Sequence, residues 1–95
     1  ADKQGETNKA EKEAKELEDA KTKVKDSINN NGNLTKTEKD SLTKEVESSK
    51  TIDEVTSVED KANKQGEANK AEKEAKELEN AKNKVKDSIN NNPDL

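Results

Sequence analysis

Residues 28–58 read INNNGNLTKTEKDSLTKEVESSKTIDEVTSV, and two short words inside them decide the fold. Thr35-Lys36-Thr37-Glu38 has the form of a capping box. The Thr35 hydroxyl can accept from the N–H of Glu38, and the Glu38 carboxylate can reach back to the N–H of Thr35. Thr51-Ile52-Asp53-Glu54 repeats the pattern with Thr51 and Glu54. A helix therefore starts after Thr35, ends near Ser48-Ser49-Lys50, and is followed at once by another. Before the first box, Asn29-Asn30-Asn31-Gly32 is a stop, because Asn and Gly favour turn or left-handed conformations.

Working outward, helix formers dominate from Lys9 to Ile28. Leu17, Ala20, Val24 and Ile28 step by three or four and share one helical face. Lys9–Glu13, Glu11–Lys15 and Lys12–Glu16 are i,i+4 pairs on the solvent side, each worth about 0.2–0.5 kcal/mol. Leu42 and Val46 share a face of the second helix. Ile52, Val55, Val58 and Ala62 line the third, which meets no stop signal until Asn90-Asn91-Asn92-Pro93. Gly66 interrupts it, at a cost of about 1 kcal/mol relative to Ala. It reads either as a tolerated glycine or as a hinge. Short loops make neighbouring helices antiparallel. The expected fold is all-α: an up-down-up three-helix bundle whose long first and third helices extend beyond it as a helical rod. Its core is Leu17, Val24, Ile28, Leu34, Leu42, Val46, Ile52, Val55 and Val58. Its caps are Thr35, Glu38, Thr51 and Glu54. The expected segments are an N-terminal helical extension (1–14), the bundle (15–64), and a connecting helix leading into the first helix of a next repeat (65–95).

That last segment follows from an internal repeat. Residues 1–34 recur at 62–95 with six differences, so 28 of 34 positions are identical. Self-similarity of this kind marks a tandem array, and the expectation is a piece of a longer repetitive chain. Leu78, Ala81, Val85 and Ile89 copy the core face of the first helix. They are expected to be exposed, or covered by another molecule.

Composition narrows the function. Of 95 residues, 44% are charged and 23% hydrophobic, with no His, Cys or aromatic residue, and every cation is Lys. Only thirteen are large aliphatics, a share low enough to suggest disorder. The near-balanced charge of −4 and the regular aliphatic spacing argue for helices instead. Each Lys has Glu neighbours, so no basic face is offered to phosphates, and there is no stacking platform for bases. Nucleic acid is not an expected partner. No apolar run is long enough to span a membrane. Without His or Cys, catalysis would fall to Ser, Lys and carboxylates, which need burial to shift their pKa values. A thin aliphatic bundle does not supply it, so the chain is not read as an enzyme, and no cofactor or metal is expected. The run Ser27–Glu38 has the length of a calcium loop, with Gly at its sixth place and Glu at its twelfth. It begins with Ser and continues with neutral Asn, and the second copy has Pro93 at the Gly place, so a capped interhelical turn explains the same letters.

Three motifs resemble the GA module, a three-helix unit of albumin-binding bacterial surface proteins and of giant matrix-binding wall proteins. They are Leu17-Glu18-Asp19-Ala20-Lys21, Asn33-Leu34-Thr35, and Lys50-Thr51-Ile52-Asp53-Glu54-Val55, similar to the family's TVEEV. The resemblance implies a left-handed or related bundle, a secreted wall-anchored parent and a role in adhesion. The albumin-binding members carry aromatics around the second helix, where this chain has Glu38, Lys39, Asp40 and Ser41. The reading at this level is a structural stalk repeat of a cell-wall-anchored adhesin, outside the cell, with neighbouring repeats as partners. The alternative is a module that binds a host extracellular protein such as albumin, immunoglobulin or fibronectin.

Overall fold

The computed structural model describes residues 2–94 and contains three helices. They are α1 (Asp2–Asn29), α2 (Lys36–Ser48) and α3 (Ile52–Asn90), and no strand occurs among the described residues. Ala1 and Leu95 lie outside that range. The molecule is long and thin, 91 × 17 × 14 Å.

Both capping threonines act as their sequence requires. Thr35 and Thr51 have extended backbone, and their hydroxyls accept from the N–H groups of Glu38 and Glu54, each at 3.1 Å. At Thr35 the box closes: the Thr35 N–H donates to Glu38 Oε1 at 2.9 Å. At Thr51 it does not close as expected. Glu54 Oε1 accepts from the N–H of Lys50, one residue earlier, at 2.6 Å. The second loop is only three residues long, so the Lys50 N–H has no helical acceptor and the carboxylate takes it.

The Asn-rich stop works without a left-handed residue. No Asn or Gly among the described residues has positive φ. Instead the Asn31 N–H bonds to Ile28 O at 3.1 Å, and the Asn31 side-chain oxygen accepts from the N–H of Asn33 at 2.9 Å. That side-chain turn is a local Asn property. It recurs in the second copy, where Asn92 Oδ1 accepts from the N–H of Asp94 at 3.0 Å. Pro93 fits at the place of Gly32 because this turn keeps φ negative.

Each helix packs against both others around one core of Val24, Ile28, Leu34, Leu42, Val46, Val55, Val58 and Ala62. Val46, Val55 and Ile28 are the most completely buried. Burying such a side chain is worth about 1.5–3 kcal/mol. Polar contacts fix the directions. Lys39 Nζ reaches Asn29 O, and Lys21 Nζ reaches Glu47 O, each at 3.0 Å, so α1 and α2 run oppositely. Lys61 Nζ reaches Glu45 at 3.0 Å and Asn69 Nδ2 reaches Glu38 at 2.7 Å, so α2 and α3 run oppositely as well. Both lysine-to-carbonyl bonds fall on C-terminal carbonyls, which a cation also favours through the helix dipole.

Two of the expected core residues are placed differently. Leu17 is only partly buried and packs on the edge of the core. Ile52 is outside it, 44% exposed. It is the first residue of α3, at the level where α2 has already turned back, so no third helix covers it. Ala62 takes a place in the core instead.

Candidate interaction surfaces

Three surfaces could meet a partner: the α1–α2 loop where α3 passes it, a shallow groove at the opposite end of the core, and the distal face of α3.

At the loop, α3 does more than pass. Gly66 is buried, and a Cβ placed on it would lie 2.9 Å from the Asn31 side-chain amide nitrogen and 3.2 Å from its oxygen. Real Cβ atoms do not approach that closely, so the glycine makes room for Asn31. One turn later, Asn69 Nδ2 donates to Asn33 O at 2.9 Å and to Glu38 Oε1 at 2.7 Å. Gln65 Nε2 donates to Asn69 Oδ1 at 2.9 Å and orients the amide. Glu38 thus receives both the Thr35 N–H and the Asn69 amide. The hydrogen bond from the Thr35 backbone, with that from Asn69 second, holds its carboxyl below the usual Glu range. The oxygens that a calcium loop would turn to a cation are turned to the chain here: Glu38 to Thr35 and Asn69, Asn31 to the N–H of Asn33. Among the described residues no group of acidic side chains is arranged to hold a metal.

This clasp settles how Gly66 is used. Helix α3 runs unbroken from Ile52 to Asn90 with Gly66 inside it. The glycine is therefore a contact point, and neither a static kink nor an idle concession. A contact between residues so far apart in the chain is invisible to helical periodicity. The repeat did carry the signal, since Gly5 and Gly66 stand at the same place in the two copies, as do Asn8 and Asn69.

At the other end, Ala14, Leu17 and Ile52 floor a groove rimmed by Glu13, Glu16, Lys50 and Asp53, about 420 Å³ in volume. It is open and shallow, with no buried polar group to orient a ligand. The outer face of α2 presents Lys36, Thr37, Asp40, Ser41 and Lys44, all exposed.

Lys73 and Lys76 still flank the α1–α2 loop at Leu34 and Thr35, and beyond Lys76 the helix stands alone. Leu78, Val85 and Ile89 are 57%, 58% and 52% exposed, and Ala81 is exposed as well. Their counterparts Val24 and Ile28 in the first copy are buried by α2 and α3. The intervening Lys/Glu segment is exposed throughout. Of the i,i+4 pairs read along the first copy, Lys9–Glu13 comes within 4.0 Å, and it is largely exposed. Such a pair adds helix propensity and little else. No described helix is long and apolar enough to cross a membrane.

The family model described as the GA module matches residues 14–68, more than half of the chain. The match begins just before Leu17 and ends one residue short of Asn69, so it takes in α2, the second half of α1, and α3 as far as the Gly66 contact. No curated protein and no solved structure matches the chain.

Proposed function

The chain belongs to the GA-module family, whose members are albumin-binding-type domains of bacterial surface proteins and not enzymes, and from the course of its third helix we propose that it is a structural stalk repeat. It would space a distal adhesive region from a bacterial cell wall, outside the cell, with neighbouring repeats of the same chain as its partners. The observation that carries the reading is the double use of α3. Its first part, Val55 to Gly66, completes one core. Its second part, Leu78 to Ile89, carries the apolar face with which α1 starts a core, on the same uninterrupted helix. In this reading the chain divides into the extension 1–14, an up-down-up bundle over 15–64, and the connecting segment 65–95. Gly66 and Asn69 tie the connecting segment back to the bundle.

The mechanism is mechanical. Leu17 and Ile52 lie side by side in the groove at one end of the core, and Leu78 repeats Leu17. Each unit therefore advances the rod by the rise from 52 to 78, about 39 Å at 1.5 Å per residue. Small-angle scattering on this chain and on a chain one 61-residue unit longer tests this. The stalk reading expects the maximum dimension to grow by about 39 Å, and a compact particle of unchanged length refutes it.

Family membership itself favours the alternative, a module binding albumin, immunoglobulin or fibronectin. Interface hot spots are enriched in Trp, Tyr and Arg, and the chain has none of the three. Saturable binding of one albumin per unit would replace the stalk reading with this one.

A further inference from the structure

The first copy contains an unexplained glycine. Gly5 lies within α1 with nothing inside 4 Å of where its Cβ would be. A glycine in a helix is less favourable than alanine, by up to about fivefold in a helix interior and by less in the first turn, where Gly5 stands. No turn, no positive φ and no close neighbour in this molecule requires it. Three residues on, Asn8 is exposed and accepts from Gln4 Nε2 at 3.1 Å.

The second copy shows what this arrangement accommodates. Gln65, Gly66 and Asn69 are the same residues at the same spacing, and the Gln65–Asn69 bond repeats the Gln4–Asn8 bond. There, Gly66 receives the Asn31 side chain, and Asn69 donates to Asn33 O and Glu38 Oε1. We propose that Gln4, Gly5 and Asn8 form a seat for the α1–α2 loop of another unit of this sequence, placed ahead of residue 1 in one chain. The occupant is specified by the seat. It must bring an Asn side chain to the glycine, and a backbone carbonyl and a carboxylate to the Asn amide. The loop of residues 31–38 supplies all three. The seat also places that unit along the rod, since the glycine admits Asn31 at one turn of the helix only.

The inference rests on the serial-repeat reading, and one set of molecules separates the two. An extended chain is made by joining residues 1–61 to the front of the full chain, so that Lys61 precedes Ala1 as it precedes Ala62 here. Glycine-to-alanine changes are compared by urea unfolding. Gly66→Ala in the 95-residue chain should lower the midpoint. Gly5→Ala in the same chain should leave it unchanged or raise it. The same Gly5→Ala change in the extended chain should lower the midpoint of the preceding unit, as Gly66→Ala does, and Asn31→Ala in that unit should relieve the loss. In the unsubstituted extended chain, the Asn8 side-chain amide NMR signals should move to those of Asn69 and gain exchange protection. If Gly5→Ala stabilises the extended chain, or the Asn8 signals stay put, the seat is refuted. A scattering length that grows as expected would leave the stalk reading standing in that case. A Gly66→Ala chain as stable as the original overturns the template itself.

Discussion

The two copies allow one buried side chain to be weighed against its own duplicate. Ile28 and Ile89 sit in the identical stretch KVKDSINNN, at residues 23–31 and 84–92. Both are in the last turn of a helix, yet Ile28 is 2% exposed and Ile89 52%. Replacing each with Ala changes intrinsic helix propensity by the same amount, so the difference between the two variants reads tertiary packing alone. Ile28→Ala loses a buried side chain between all three helices and leaves a cavity, at a cost of about 2–5 kcal/mol. Ile89→Ala removes a half-exposed group from a lone helix and should stay within about 0.5 kcal/mol. A gap near 3 kcal/mol is more than a hundredfold in the folding equilibrium. It is also a large share of the roughly 3–8 kcal/mol that a unit the size of residues 14–68 commands. With no aromatic residue to report unfolding, the assay is amide hydrogen exchange at Val46 and Val55, supported by urea titration followed by circular dichroism. Equal losses in the two variants would refute the reasoning, since they would mean that the distal stripe is covered in solution. A loss under about 1 kcal/mol for Ile28→Ala would refute the core assignment instead.

Three further outcomes are expected. Ile52→Ala should cost less than about 1 kcal/mol by urea titration, because the side chain stands at the open end of the core; a loss equal to that of Ile28→Ala would put it back inside. Thr35→Ala removes the cap that closes the box and should cost about 1 kcal/mol, while Thr35→Ser should retain most of it. Glu38 has a lowered carboxyl pKa in the folded chain, so its contribution is fully present above the unfolded value of about 4.3 and is lost as pH falls through the lower folded value. The urea midpoint of Glu38→Gln should accordingly fall less steeply on acidification than that of the original chain; parallel acid limbs would show that the clasp does not select the charged form.

Much of this architecture is readable one helix at a time. The Thr35–Glu38 box spans one turn and is formed by its own letters, as is the Asn turn that appears in both copies. The core stripe on α1 follows from spacing. What spacing does not convey is depth: Ile52 shares a face with Val55 and Val58, and only the point at which α2 turns back decides that it is uncovered. The Glu54 carboxylate also went to a different N–H than expected, because the loop before Thr51 left the Lys50 donor free. Gly66, Asn69 and Ala62 gain their roles from α1–α2, which lies far away in the chain. The exit from α1 was expected to be a turn or a left-handed residue, from Asn and Gly preference alone, and it is a turn. Pro93, standing where the first copy has Gly32, was the letter that pointed to negative φ.

The unbroken course of α3 also fixes a compass bearing. At about 100° per residue, the side of the helix given to the first core by Val55, Val58, Ala62 and Gly66 is turned by roughly 140° from the side carrying Leu78, Ala81, Val85 and Ile89. A following unit would therefore lie almost across the axis from the one before it. Outer faces of successive second helices would point to different quarters around the rod, so that whatever those faces meet, a neighbouring molecule approaching from any one direction would encounter only some of the units.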